Sequence, residues 1–208
     1  MDFDTFLSKV TLLKTKKLGG LEAQFRLAPK LRLLYNADKI RASNPKKAAV
    51  LALFYPNKKG ETCFLLTKRA SYKGTHSAQI SFPGGKIDSS DNSLQETALR
   101  ETFEEVGIGS SAIKIIRKTT DAYIQPSNFL VTPFFGFTQE QPIFITNHEV
   151  DTVIEVLLSD LLDNQSITTM NITTSYMKNS NVPCFKLNNY IVWGATAMML
   201  NEIKELIL

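Results

Sequence analysis

The densest chemical signal in the chain is the run Arg100-Glu101-Thr102-Phe103-Glu104-Glu105, with a glycine pair, Gly84-Gly85, upstream of it. On a helix turning about 100° per residue, Glu101, Glu104 and Glu105 share an arc of roughly 100°, while Ala98, Leu99, Thr102, Phe103 and Val106 cover another, apolar face. Like charges crowded into one arc repel unless a cation lies among them. Hard carboxylate oxygens suit Mg²⁺ or Mn²⁺, which keep several waters and also bind substrate phosphates. Arg100 stands four residues from both Glu96 and Glu104 and can hold a carboxylate in place. A glycine turn lets backbone approach a phosphate closely, so the combination points to metal-assisted hydrolysis of a phosphoanhydride.

These side chains need a helix with defined ends. Ser93 followed three residues later by Glu96 is a capping-box pattern, and Gly107 stands where a left-handed cap ends a helix, so a helix is expected over Ser93–Val106. A second is expected over Gly194–Ile207. Phe3, Phe6, Leu7, Val10 and Leu13 recur at helical spacing and predict an N-terminal amphipathic helix ending near Lys14 to Gly20. Ala48–Tyr55 and Thr62–Thr67 read as a β-hairpin around Pro56-Asn-Lys-Lys-Gly60. Further strands are expected at Gln79–Phe82, Ile113–Ala122, Leu130–Thr138, Thr152–Leu158 and Ile167–Thr174. The order lacks a regular βαβ rhythm, and Gly84-Gly85 fits neither dinucleotide nor Walker spacing. The expected fold is therefore α/β of the α+β type, a mixed sheet sandwiched between helices. Residues 1–45 are read as a helical extension packed on a domain spanning 46–208.

The chain has 208 residues, 43% of them hydrophobic and 21% charged, and a formal net charge of +4, which excludes a disordered tail, a collagen-like fibre and a bare coiled coil. The charge is segregated: before Thr75 there are 16 Lys and Arg against 5 Asp and Glu, and after it 8 against 15. A basic half can attract phosphates while an acidic cluster gathers divalent metal. The basic residues are scattered without interleaved aromatics, so nucleic acid is not the expected partner. Two cysteines, Cys63 and Cys184, are too few and too far apart for a disulfide scaffold. No apolar run has the length of a membrane span and the acidic start Met1-Asp-Phe-Asp is no signal peptide, so a cytoplasmic setting without membrane attachment is expected.

Arg100-Glu101-Thr-Phe-Glu104-Glu105-Val-Gly107-Ile108 resembles the second half of the box that defines the Nudix hydrolases. The first half departs from the general pattern: Asp91 stands where Glu is usual, one extra residue precedes Arg100, and Thr102 takes a usually apolar position. Those departures look like the coenzyme A pyrophosphatase subgroup. So does the preceding stretch Leu65-Leu-Thr-Lys-Arg69-Ala70, continuing through Gly74 and Ala78 to Phe82-Pro83-Gly84-Gly85, where Gly74 replaces an Arg and Ala78 a Gly. Pro126–Pro133, Asn147-His-Glu-Val150 and Trp193–Ala197 extend the likeness over about residues 48 to 208.

The resemblance implies a Nudix fold and Mg²⁺- or Mn²⁺-dependent hydrolysis of coenzyme A to 4′-phosphopantetheine and adenosine 3′,5′-bisphosphate. It assigns Glu101, Glu104 and Glu105 to the metals, Arg100 to orienting a glutamate, and the Gly84 and Gly85 backbone to completing the ligand shell. Arg69, Lys68 and Lys73 are the candidate substrate contacts, Lys73 in place of the Arg missing at Gly74. Glu104, Glu105 or, from outside the helix, Glu149 would supply the general base. Cys63 and Trp193 are expected in the core, His76 at a loop or substrate contact, and no serine nucleophile is expected. Two alternatives stay open: another nucleoside diphosphate substrate such as ADP-ribose, a dinucleotide or a nucleotide sugar, and a non-catalytic nucleotide-binding regulator. Association as a homodimer is compatible with either.

Overall fold

The computed structural model describes residues 1–30, 32, 36–70, 79–174 and 177–208. Its frame is a mixed sheet built on two long apolar segments, β1 (Lys46–Pro56) and β7 (Phe129–Phe137), which run parallel from Lys46 opposite Phe129 to Phe54 opposite Phe137. β2 (Thr62–Arg69) pairs antiparallel with β1 and carries β3 (Ile80–Ser81) and β8 (Val150–Leu157). β4 (Gly84–Lys86) pairs with the first half of β1, and β5 (Lys114–Lys118) and β6 (Ala122–Ile124) both pair with β7. A second, three-stranded antiparallel sheet holds β9 (Ile167–Thr174), β10 (Met177–Leu187) and β11 (Tyr190–Trp193), with β10 in the middle.

Alternation along β1 divides the core. Ala48, Ala52 and Phe54 face one hydrophobic cluster with Phe64, Phe135 and the helices α1 (Phe3–Thr15) and α6 (Gly194–Ile207). Ala49, Leu51, Leu53 and Tyr55 face the other, with Leu65 and the helix α4 (Leu94–Val106). The sheet thus lies between helices on both faces, as the sequence predicts. Phe6 of α1 is fully buried, its ring stacked on Phe54 at 5.5 Å between centroids, so the N-terminal helix completes the core.

Several elements differ from the sequence reading. The strand expected over Ile113–Ala122 is broken into β5 and β6 because Thr120 turns both its N–H (3.2 Å) and its hydroxyl (2.5 Å) onto the carboxylate of Glu202 in α6. The strand expected at Gln79–Phe82 is reduced to Ile80–Ser81. Three short helices, α2 (Gly20–Phe25), α3 (Ala37–Ala42) and α5 (Leu158–Leu162), carry too few turns to register a period. After Met177, β10 carries the polar run Lys178-Asn-Ser-Asn and then Pro183, a composition that hides it as a strand. Pairing to β11 covers only Cys184–Leu187, so Pro183 lies just beyond it. Among the described residues no helix is long and apolar enough to cross a membrane.

Candidate active site

Helix α4 starts where Ser93 Oγ accepts from the Glu96 N–H at 3.2 Å and stops at Gly107, whose φ of 78° closes the end with an N–H bond to Phe103. Glu96 reaches one residue further back than a simple capping box requires, accepting from the N–H of Asn92 at 2.8 Å. The faces of α4 depart from the expected split. Phe103, read as apolar-face, is 59% exposed, while Glu105, read as part of the anionic arc, is 4% exposed. Polar partners draw Glu105 inward: the N–H of Gly84 donates to its Oε2 at 3.3 Å, and Arg69 Nη1 lies 3.8 Å from its Oε1.

Asp91 organises the start of the motif. Its carboxylate takes a fork of two bonds from Arg100, each 2.9 Å, together with the Thr97 hydroxyl at 2.8 Å and the Asp88 N–H at 2.9 Å. The same guanidinium donates to Glu101 at 3.0 Å, Glu104 at 3.1 Å and the carbonyl of Lys86 at 3.2 Å. Arg100 therefore ties β4, the loop after it and two glutamates into one unit. It holds the Asp91 carboxyl well below the usual carboxylate range. The Asp and the extra residue that depart from the general motif are the pieces that close this unit.

Glu101 and Glu105 reach the same cavity, about 460 Å³ in volume, whose wall also includes Arg69, Gly84, Gly85, Lys86 and Glu149. Burial is the main cause that raises the Glu101 carboxyl; Arg100 opposes it, and Glu104 and Glu149 add like charge. Glu105 is pushed up to about 7, chiefly by burial, against the pull of Arg69 and the Gly84 N–H. Arg69, at the end of β2, bridges the two sides: Nη2 binds Glu149 at 2.9 Å while Nη1 faces Glu105. Its Nε is buried without a hydrogen-bond partner among the described residues. Gly84 sits at φ 152°, where a Cβ would fall 2.3 Å from the carbonyl of Ala49, so only glycine lets β4 press onto β1 and aim its N–H at Glu105.

The predicted residues divide three ways. Glu101, Glu105, Glu149, Arg69, Gly84 and Gly85 meet at the cavity. Arg100 and Glu104 are not in its lining; they pair with each other at 3.1 Å, the Glu104 side chain 50% exposed. Lys68 turns away into a surface pair with Asp151 at 2.7 Å. Lys73, with Gly74, His76 and Ala78, lies outside the described residues. Sequence reasoning missed Asp91 as a positioning residue and missed the far wall. Trp193, read as core, lines the cavity with Phe129, Met177, Met198 and Met199, and Arg32 enters it from the N-terminal segment. An acid between a glycine pair and the Arg-Glu run was the available signal for Asp91; no local signal marks Trp193 or Arg32.

Among the described residues no three carboxylate, imidazole or thiol groups converge tightly enough to enclose an ion by themselves. The donors fit an open site instead. Two neighbouring carboxylates, both driven toward their protonated forms by burial, offer hard oxygens to a divalent cation that completes its shell with water and phosphate.

Residues 45–169 match the NUDIX domain. Two proteins named Uncharacterized Nudix hydrolase NudL, from Yersinia pestis (strain Pestoides F) and Yersinia pseudotuberculosis serotype O:1b (strain IP 31758), are each 29% identical over 183 residues, 88% of this chain and 89% of theirs. Among solved structures, a MutT/nudix family protein from Enterococcus faecalis superposes with a TM-score of 0.53 at 14% identity, over 90% of this chain and 73% of that one, a likeness of fold. The NUDIX match covers more than half of the chain, and the chain belongs to the Nudix family.

Proposed function

We propose that this Nudix hydrolase cleaves the diphosphate of coenzyme A or its derivatives, releasing 4′-phosphopantetheine and adenosine 3′,5′-bisphosphate. The observation that carries the reading is the meeting of two motifs at one cavity: Arg69, from the Leu65–Arg69 segment that resembles the coenzyme A subgroup, spans Glu105 of the Nudix helix and Glu149. The apolar wall of Trp193, Phe129 and the three methionines supports it, since adenine and pantetheine both need such surface.

Glu101 and Glu105, with Glu104 and the Gly84–Gly85 backbone, would hold Mg²⁺ or Mn²⁺. When bound, the metal supplies neutralisation of the diphosphate and acidification of water. Arg69 and Lys86 bind phosphate oxygens from the other side. Arg100, locked by Asp91, fixes Glu101 against the loop. Glu149, half-exposed on the cavity wall and paired with Arg69, takes the proton as water adds to one phosphorus and the bridging P–O bond breaks. Buried, unpaired Cys63 and Cys184 accord with a reducing, cytoplasmic setting.

The test is incubation of the purified protein with coenzyme A, ADP-ribose and a dinucleotide, with Mg²⁺ or Mn²⁺, and identification of products by mass. Selective release of 4′-phosphopantetheine and adenosine 3′,5′-bisphosphate is expected. Cleavage of only the other compounds discards the substrate, and cleavage of none discards the enzyme. Glu105→Gln is expected to remove most turnover while the protein stays folded.

A further inference from the structure

The end of the cavity away from α4 has the opposite character. Ser127, Phe129 and Arg32 line it there, and Lys46, outside the lining, has its Nζ 5.8 Å over the Phe129 ring. Arg32 lies over the Tyr123 ring at 5.7 Å. Stacking uses the face of a guanidinium, and its N–H donors lie in the plane, the arrangement in which arginine binds phosphate. Ser127 lines the same cavity, and its hydroxyl lies just beneath that wall, buried and without a hydrogen-bond partner among the described residues.

This wall is rigidly framed. Asn128 takes a left-handed φ of 52°, and its side chain joins Tyr123 OH at 3.0 Å and the Ser43 carbonyl at 2.8 Å. The ring that carries Arg32 and the turn that carries Ser127 are thus fastened to one another. The two ends of the cavity are set apart by the register of β1: Phe129 stands opposite Lys46, and Gly84 opposite Val50. Four residues of strand span roughly 13 Å. The charge segregation of the sequence takes spatial form here, with Arg32 and Arg69 from the N-terminal half lining the same cavity as Glu101 and Glu105 of α4.

We propose that Arg32 and Ser127 form a second anion subsite, which binds a phosphomonoester on the substrate's ribose and makes the enzyme select 3′-phosphorylated nucleotides. This rests on the coenzyme A reading above and adds the residues that would enforce it.

The experiment compares kcat/KM for coenzyme A with that for dephospho-coenzyme A, which lacks only the 3′-phosphate. Wild-type protein is expected to favour coenzyme A, and Arg32→Gln to cut that ratio about ten- to hundredfold, mostly through KM. Arg32→Lys keeps the charge without the planar fork and recovers part of the ratio; Ser127→Ala, a single buried hydroxyl, lowers it severalfold and carries the test if Arg32→Gln is unstable. A ratio unchanged in Arg32→Gln, or in Ser127→Ala where that variant is the one measured, overturns the proposal. If wild-type protein turns over neither compound, the coenzyme A reading fails on its own. The subsite is then judged by calorimetry with adenosine 3′,5′-bisphosphate and adenosine 5′-monophosphate. Tighter binding of the bisphosphate that Arg32→Gln abolishes sustains it, and equal binding of the two nucleotides overturns it.

Discussion

The backbone of Gly85 lies flat against the carboxylate of Glu101: a Cβ at position 85 would fall 2.4 Å from Glu101 Cδ and no more than 2.5 Å from either oxygen. The clash is with the end of a flexible side chain and not with backbone, so Gly85→Ala moves the carboxylate and spares the strand. Hydrolysis of the diphosphate substrate should fall by about a hundredfold or more, because misplacing a reacting group by an ångström costs that much. The melting temperature should change little. Gly84→Ala is the contrasting case, since its Cβ meets the Ala49 carbonyl and the Val50 Cα at a φ open mainly to glycine. That variant should lose several kcal/mol in urea denaturation, about the cost of backbone strain and overpacking together. Equal loss of stability in both variants would show that the two glycines do the same job.

Asp91→Asn tests the fork on Arg100. The substitution keeps shape but leaves a partly buried guanidinium, 26% exposed, without its main counter-charge. Arg100 would then lean on Glu101 and Glu104 alone. Losing one charge-assisted pair of bonds costs about 1.5–3 kcal/mol, and kcat should fall about tenfold as Glu101 is dragged with the guanidinium. Chemical denaturation and steady-state kinetics read the two effects separately; loss of stability with kcat intact would make Asp91 a scaffold residue only.

Helix α4 was legible in the sequence because everything that defines it is local: Ser93 caps it, Gly107 ends it, and both act within a turn of the helix. The alternation of β1 was equally plain, since each residue's side follows from period two. What was not legible depends on contacts far along the chain. Glu105 turns inward for the Gly84 N–H, which is 21 residues upstream, and for Arg69 on another strand, so helical spacing alone grouped it with the solvated acids. Trp193 and Arg32 come to the cavity from opposite ends of the chain, and only the closed fold makes them neighbours of one pocket. The break between β5 and β6 is set by Glu202, a residue of the last helix.

The Glu105 carboxyl gives the metal-free protein a specific pH dependence. Its folded value of about 7 stands above the ordinary 4.5, so the folded state binds this proton more tightly than the unfolded chain does. Stability from this group is complete below about pH 4.5 and is lost as pH rises through 7, up to about 3 kcal/mol. In chelator, the melting temperature should fall by several degrees between pH 5.5 and pH 8. Glu105→Gln, which stays neutral, should flatten that slope and be the more stable protein at pH 8. Adding Mg²⁺ should restore wild-type stability at pH 8 and do less at pH 5.5, where protons compete for the same oxygens. A melting temperature independent of pH in both proteins would remove the buried, cation-seeking character assigned to Glu105.

Glu202 offers the sharpest stability test. It is fully buried in α6 and is bound there by N–H and O–H donors: Gly20 N–H at 3.0 Å, Gln24 Nε2 at 3.0 Å, and the Thr120 N–H and hydroxyl. Three distant stretches, α2, the β5–β6 bend and α6, are fastened at this one carboxylate. Glu202→Gln puts an NH₂ group where one oxygen accepts, and each oxygen faces a backbone N–H, of Gly20 or of Thr120, that has nowhere to turn. Each stranded buried donor costs about 1–3 kcal/mol, so the variant should lose about 2–4 kcal/mol, and Glu202→Ala at least as much. Glu22 provides the control: it is 87% exposed and pairs with Arg26 at 3.5 Å on the surface of α2. Glu22→Ala should stay within about 0.5 kcal/mol of wild type, because exposed pairs contribute little. Urea midpoints at constant m-value decide between them. A Glu202→Gln protein as stable as Glu22→Ala would mean that the buried carboxylate does not hold the N-terminal segment to the last helix.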